Sequence, residues 1–180
     1  MRDRIRVLYE QYGPPTLTNF IYDDLKGDLP AKALVVALAD RNGQIVLIKR
    51  KPHNDHPGLE RYWWLPGGGL ELRERIDNGA IREFKEETGL EIQLTKLLIA
   101  RLKENKRLSF FFRGHVIGGS LSPDQDPCNT TADARCFLPS EITIQDLRSD
   151  LDKIVLVKEG FLDYAVDDLI EKHGLKPFLR

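Results

Sequence analysis

The sequence predicts an α/β domain built on a mixed, partly antiparallel sheet. Short apolar runs separated by turn residues recur between residues 33 and 138, the signature of paired strands. One amphipathic helix, Asp77 to Thr88, interrupts them, and further helical patterns close the chain. Within the main domain, helices at two places, rather than one after every strand, imply more antiparallel pairing than a doubly wound sheet has. The 180 residues suit one domain with modest extensions: an N-terminal extension over 1–30 and a main domain over 31–180 that includes the C-terminal helices.

The extension opens with a short helix, Arg2 to Gln11, offering Ile5, Val7 and Leu8 for packing. Gly13-Pro14-Pro15 breaks it, and Thr16 to Tyr22 reads as extended. Leu34 to Ala39 and Gln44 to Ile48 are strands joined by Asp40-Arg41-Asn42-Gly43, and Asn-Gly between two apolar runs predicts a hairpin. A polar loop over Lys49 to Glu60 leads to a short strand, Arg61 to Leu65, and then to a glycine turn at Pro66-Gly67-Gly68-Gly69. The central helix places Ala80, Ile81, Phe84 and Thr88 on one face and stops at Gly89. Glu91 to Leu102 and Leu108 to Ile117 are the next strands, and Phe110-Phe111-Phe112 is too apolar to face water on either side. A loop over Gly118 to Ala132 precedes a strand at Ala134 to Leu138. Leu151 to Val157 and Phe161 to His173 read as helices.

Bulk composition excludes several classes. With 27 basic and 28 acidic residues the net charge is -1, which argues against a protein that coats long nucleic acid. Cys128 and Cys136 are too few for a disulfide scaffold and read as free thiols in a reducing compartment. No apolar stretch approaches the roughly 20 residues of a membrane span. A soluble cytoplasmic protein with no membrane partner is the expectation.

Chemistry concentrates between Gly67 and Leu90. Glu83, Glu86 and Glu87 stand at offsets of zero, three and four, so their carboxylates project from one side of a helix. Like charges at that spacing oppose one another by roughly 0.2–0.5 kcal/mol per exposed pair. A divalent cation relieves this, and magnesium suits carboxylate oxygens while keeping waters and substrate phosphates. A solvated acidic face shows the same pattern, but here Ala80, Ile81 and Phe84 anchor the opposite side. Arg82 stands beside Glu83 to fix its rotamer, and the glycine run bares backbone next to the acids.

The stretch Gly68 to Leu90 resembles the Nudix box, the signature of the Nudix hydrolase superfamily, without a gap. Gly68 opens the match, Glu74 follows, then Arg82-Glu83, Phe84 at the bulky position, Glu86-Glu87, Gly89 and Leu90. The resemblance implies an α/β/α sandwich on a mixed sheet, with the box forming a catalytic loop, helix and loop. It implies Glu83, Glu86 and Glu87 as metal ligands, the Gly67 carbonyl as a further one, Arg82 orienting Glu83, and Glu74 in an accessory catalytic role. The implied cofactor is Mg2+, with Mn2+ as a substitute. The implied reaction is attack of metal-activated water on a phosphoanhydride of a small nucleotide or nucleotide derivative. Two departures concern the start of the helix: Arg73 and Arg75 flank Glu74, leaving Asp77 to cap, and Asn78-Gly79 stands where helix formers are common.

Other residues weigh less. Asp124, Asp126, Asp133 and Glu104 are available as an extra acid, and none is singled out. His53 and His56 flank Asp55, but no third ligand stands at metal spacing. Lys49, Arg50 and Lys51 could meet phosphates, although an ordinary basic strand end is the simpler reading. Of Trp63 and Trp64, which alternate on a strand, at least one should be core.

Substrate choice follows by elimination. Some ADP-ribose enzymes of the family carry a proline about sixteen residues past the box, where this chain has Lys106. That mildly favours (d)NTP-like substrates, with ADP-ribose or a nucleotide sugar as the alternative. A non-catalytic nucleotide-binding module on the same fold would be expected to have lost ligand glutamates, and all are present. Some dimeric relatives pair through such an N-terminal extension, so a homodimer is a further expectation.

Overall fold

The computed structural model describes the chain except residues 41, 53, 55, 56, 124–126, 129, 179 and 180. The candidate residues His53, Asp55, His56, Asp124 and Asp126 therefore lie outside the described residues. Strands β1 (Leu17–Thr18), β2 (Ala31–Leu38), β3 (Ile45–Arg50), β4 (Trp63–Trp64), β5 (Gly67–Gly69), β6 (Leu90–Leu102), β7 (Leu108–Gly119), β8 (Thr131–Phe137) and β9 (Lys176–Pro177) form one sheet. Its order is β4-β3-β2-β7-β6-β1-β9, with β5 pairing β2 and β8 pairing β3. β2 runs parallel to β7 and antiparallel to β3 and β5, so the sheet is mixed as expected.

Phe110-Phe111-Phe112 sits in the middle of β7 with all three rings buried. Strand alternation sends Phe110 and Phe112 into one core and Phe111 into the other. Helices α1 (Arg2–Tyr12) and α2 (Ile76–Thr88) close the first core through Ile5, Leu8, Ile76, Ala80 and Phe84. Helix α3 (Asp150–Lys158) closes the second through Leu151, Ile154 and Val155, joined by Val166 just before α4 (Asp167–Lys172). The result is an α/β/α sandwich, two helical layers on one sheet.

Several expectations are corrected. The glycine run is not a turn but the strand β5, because its backbone pairs with Lys32, Ala33 and Leu34 of β2. Asp77 does not cap α2. Arg75 occupies the cap position with no side-chain cap bond, and Asp77 lies within the first turn, bound by Arg75 at 2.8 Å and by Tyr12 at 3.3 Å. The last helix is short, since the residues after Phe161 are irregular until Asp167. The extended segment after Pro15 narrows to the two residues of β1, which pair with β6. No helix among the described residues is long and apolar enough to cross a membrane.

Candidate active site

The strand β5 and the helix α2 together position the acids. Gly67 has φ 139, and a Cβ there would stand 2.1 Å from the Ala33 carbonyl oxygen, so only glycine lets β5 lie this close to β2. At Gly68 a Cβ would instead meet Glu83 Oε2 at 2.1 Å. The carboxylate of Glu83 thus fills the space that the missing side chain leaves. The glycines act in two directions, one toward the sheet and one toward the helix.

Arg82 is the hub of the helix side. Its Nε and Nη2 donate to the two oxygens of Glu74 at 2.8 and 2.9 Å, a bidentate pairing. Its Nη1 donates to Glu83 Oε1 and to Glu86 Oε2, each at 3.0 Å, and Nη2 also reaches the Gly69 carbonyl at 3.1 Å. One guanidinium therefore ties three box glutamates to the glycine strand. Hydrogen bonding from Arg82 holds the Glu74 carboxyl below its usual range. Burial raises that of Glu83 in spite of Arg82.

Glu87 turns away from this group toward the sheet. It is 3% exposed; its Oε2 accepts from the Gly67 N–H at 2.7 Å, and its Oε1 pairs with Arg50 Nη1 at 2.5 Å. Burial pushes its carboxyl up to about 7, against the opposing pull of Arg50 and Gly67. Arg50 Nη2 also donates to the Gly67 carbonyl at 3.2 Å. Among the described residues, no three His, Cys, Asp or Glu side chains converge as a preformed metal cage. The acids are held by the cations Arg82 and Arg50 instead.

The donor set nevertheless fits a hard divalent cation. Glu83, Glu86, Glu87 and the Gly67 carbonyl offer only oxygen, all at the junction of β5 and α2. The Gly68 cleft keeps the Glu83 carboxylate against bare backbone. Two arginines already meet there, so the place draws positive charge to its acids.

Arg50 is the residue at this site that the sequence undervalued. Its only linear signal is the Lys49-Arg50-Lys51 run at a strand end, and its contact with Glu87 depends on β3 lying beside β2. Asp152, which carries no linear signal, is fully buried and accepts from the Leu65 N–H at 3.1 Å, just before the glycine strand. Burial pushes its carboxyl up to about 6, and its Oδ1 has no hydrogen-bond partner. Of the other candidates, Asp133 pairs with Arg135 at 2.8 Å on β8, and Glu104 lies in an exposed hairpin. Neither touches the box. Trp63 packs in the second core, edge-on to Phe137 at 4.6 Å, with Lys49 over its ring.

A family model described as the NUDIX domain matches residues 28–157. The chain belongs to the Nudix hydrolase family. Its curated relatives include an ADP-ribose pyrophosphatase of Methanocaldococcus jannaschii, 37% identical over 103 residues, covering 54% of this chain and 57% of the relative. A CTP pyrophosphohydrolase of Escherichia coli is 31% identical over 71 residues, covering 39% of this chain and 50% of that protein. The chain thus spans little more than half the length of these relatives. A Nudix hydrolase of Nitrosomonas europaea superposes with a TM-score of 0.58 at 18% identity, covering 78% of each chain. At that identity the likeness bears on the fold, and it agrees with the Nudix-type sandwich.

Proposed function

We propose that this Nudix protein is a metal-dependent pyrophosphohydrolase that cleaves the phosphoanhydride of a nucleoside diphosphate derivative. The observation that carries the proposal is the single guanidinium of Arg82 bonded at once to Glu74, Glu83 and Glu86 and to the Gly69 carbonyl. A surface salt-bridge array has no need of such convergence on a glycine strand, whereas a site that must hold acids in one geometry does.

Glu83, Glu86, Glu87 and the Gly67 carbonyl are the groups that would hold the metal. A bound Mg2+, or Mn2+ in its place, would lower the pKa of an attacking water, polarise the phosphoryl group and neutralise the leaving phosphate. The chain's own residues supply the orientation. Arg82 fixes the rotamers of Glu83 and Glu86, Glu74 braces Arg82 from its other edge, and the Gly67 N–H and Arg50 fix Glu87. Arg50 also brings a fixed positive charge beside Gly67, where it faces an incoming phosphate.

Among substrates, the name of the archaeal relative favours ADP-ribose as the first probe over the triphosphate-like substrates that the missing proline suggested. The test is Glu86→Gln, assayed for product release from ADP-ribose and from nucleoside triphosphates with Mg2+. We expect turnover to fall at least about a hundredfold, the upper range for loss of a group supporting a metal. Turnover equal to the parent's would refute the assignment, as would a parent protein that releases nothing from any diphosphate.

A further inference from the structure

Helix α1 carries Arg4, Leu8, Gln11 and Tyr12 at offsets of zero, four, seven and eight, so the four share one face. That face meets the end of the segment between β5 and α2. Leu8 and Ile76 share the first core. Gln11 Oε1 accepts from Arg75 Nη2 at 2.8 Å, and the Tyr12 hydroxyl donates to Asp77 Oδ2 at 3.3 Å. Arg4 Nη2 donates to the backbone carbonyl of Glu74. The start of α1 is itself tied down, since Arg2 Nε donates to the Leu25 carbonyl at 2.5 Å and Leu25 is buried in the same core. Helix α1 and residues 74–77 are thus joined side chain by side chain.

Of these contacts, the one at Glu74 leads to the acids. The residues just before it stand in the open: Leu72 is 90% exposed, and Arg73 has φ 64, a left-handed conformation that a side chain keeps only where neighbours hold it. Glu74 is where the segment is fixed. Its N–H donates to the Glu71 carbonyl at 3.2 Å, its own carbonyl accepts from Arg4, and its carboxylate takes the fork of Arg82 at 2.8 and 2.9 Å. The carboxylate also has a seat against α2. A Cβ at Gly79 would stand 2.9 Å from Glu74 Oε2, so this glycine, a poor helix former, leaves that space open. Arg82 in turn bonds Glu83 and Glu86. The contacts therefore run from Arg4 to Glu74, to Arg82, to the two acids. Arg4 lies 70 residues before Glu74, so nothing in the box itself announces it.

We propose that Arg4 is a positioning residue of the hydrolase: it fixes the Glu74 backbone, and through Glu74 and Arg82 it fixes the rotamers of Glu83 and Glu86. The inference rests on the pyrophosphohydrolase reading and extends its machinery to a helix outside the box. Arg4 acts at one remove from the acids, as an outer support of a metal site does, and loss of such a support costs roughly 10- to 100-fold in metal affinity. A guanidinium suits the place because it stays charged at every working pH, so its hold on the carbonyl does not titrate away.

Mn2+ binding to the full chain, followed by the EPR signal of the free ion, tests this without turnover. Arg4→Met and Arg4→Gln each remove the guanidinium from a half-buried position and should unfold near the parent's Tm. We expect either variant to bind Mn2+ about tenfold more weakly. Arg4→Lys, which keeps one donor group, should recover part of that loss. Glu74→Gln alone should also weaken binding, and adding Arg4→Met to it should cost nothing further, because the route to the acids is already cut. A helix that merely props the fold would give two losses that add. On a hydrolysed diphosphate, kcat should fall about tenfold in Arg4→Met with KM nearly unchanged. Parental Mn2+ affinity in Arg4→Met or Arg4→Gln overturns the proposal, and additive losses in the double variant overturn the route through Glu74. Loss of the fold in both variants makes Arg4 structural and overturns it too. A parent that hydrolyses no diphosphate, while the Mn2+ losses still fail to add, removes the hydrolase reading and leaves the hold of Arg4 on the acids supported. A parent that binds no Mn2+ overturns both.

Discussion

Two adjacent glycines should fail in opposite ways when each becomes alanine. At Gly68 the new Cβ would stand 2.1 Å from Glu83 Oε2 and 2.6 Å from its Cδ. Ordinary contact lies near 3.5 Å, so the carboxylate must retreat by about 1 Å or more. The far end of a glutamate can do so cheaply, and alanine in a strand recovers roughly 0.5–1 kcal/mol relative to glycine. Gly68→Ala should therefore fold as well as the parent while losing on the order of a hundredfold in kcat, the scale of a 1 Å misplacement in a reacting geometry. At Gly67 the new Cβ would stand 2.1 Å from the Ala33 carbonyl oxygen and 2.6 Å from Leu34 Cα, both backbone atoms of β2. Neither can withdraw without parting β5 from β2, and φ 139 is strained for any L side chain. The cost should be about 3 kcal/mol or more, a loss of roughly 6–12 °C in Tm for a domain of this size. Thermal unfolding and product release, measured on both variants, separate the two outcomes. A fully active Gly68→Ala, or a Gly67→Ala as stable as the parent, would refute the reasoning.

Arg82→Lys should lower kcat by about a hundredfold with a smaller change in KM, because one ammonium cannot reproduce a fork that holds three carboxylates and a carbonyl; steady-state kinetics on ADP-ribose or another hydrolysed diphosphate decide it. Asp152 should make stability depend on pH. Its folded carboxyl titrates near 6 rather than 3.8, so between about pH 4 and 6 the folded state binds the extra proton, and stability falls as pH rises through that window and then levels off. A shift of about two units corresponds to roughly 3 kcal/mol. Urea unfolding from pH 4 to 7 should show a shallower decline in Asp152→Asn than in the parent, the part due to Glu87, whose carboxyl is also raised, remaining in both; parallel profiles would remove Asp152 as a source.

The sequence by itself determined the box and the core pattern. Glu83, Glu86 and Glu87 share a side because helical spacing places them there. The phenylalanine run had to be buried on both faces because no alternation offers one to water, and the structure divides it between two cores. These properties are local, set by offsets of a few residues. The tertiary structure alone decided how the acids are held. Arg50 lies 37 residues from Glu87, and Asp152 lies 87 from Leu65. Such contacts follow from strand order and helix docking, which no short window of sequence records. The glycine run shows why even local motifs were half legible. Its composition announces a bare backbone, but whether that backbone bends or pairs depends on β2 standing beside it with free hydrogen-bonding groups, and here it pairs.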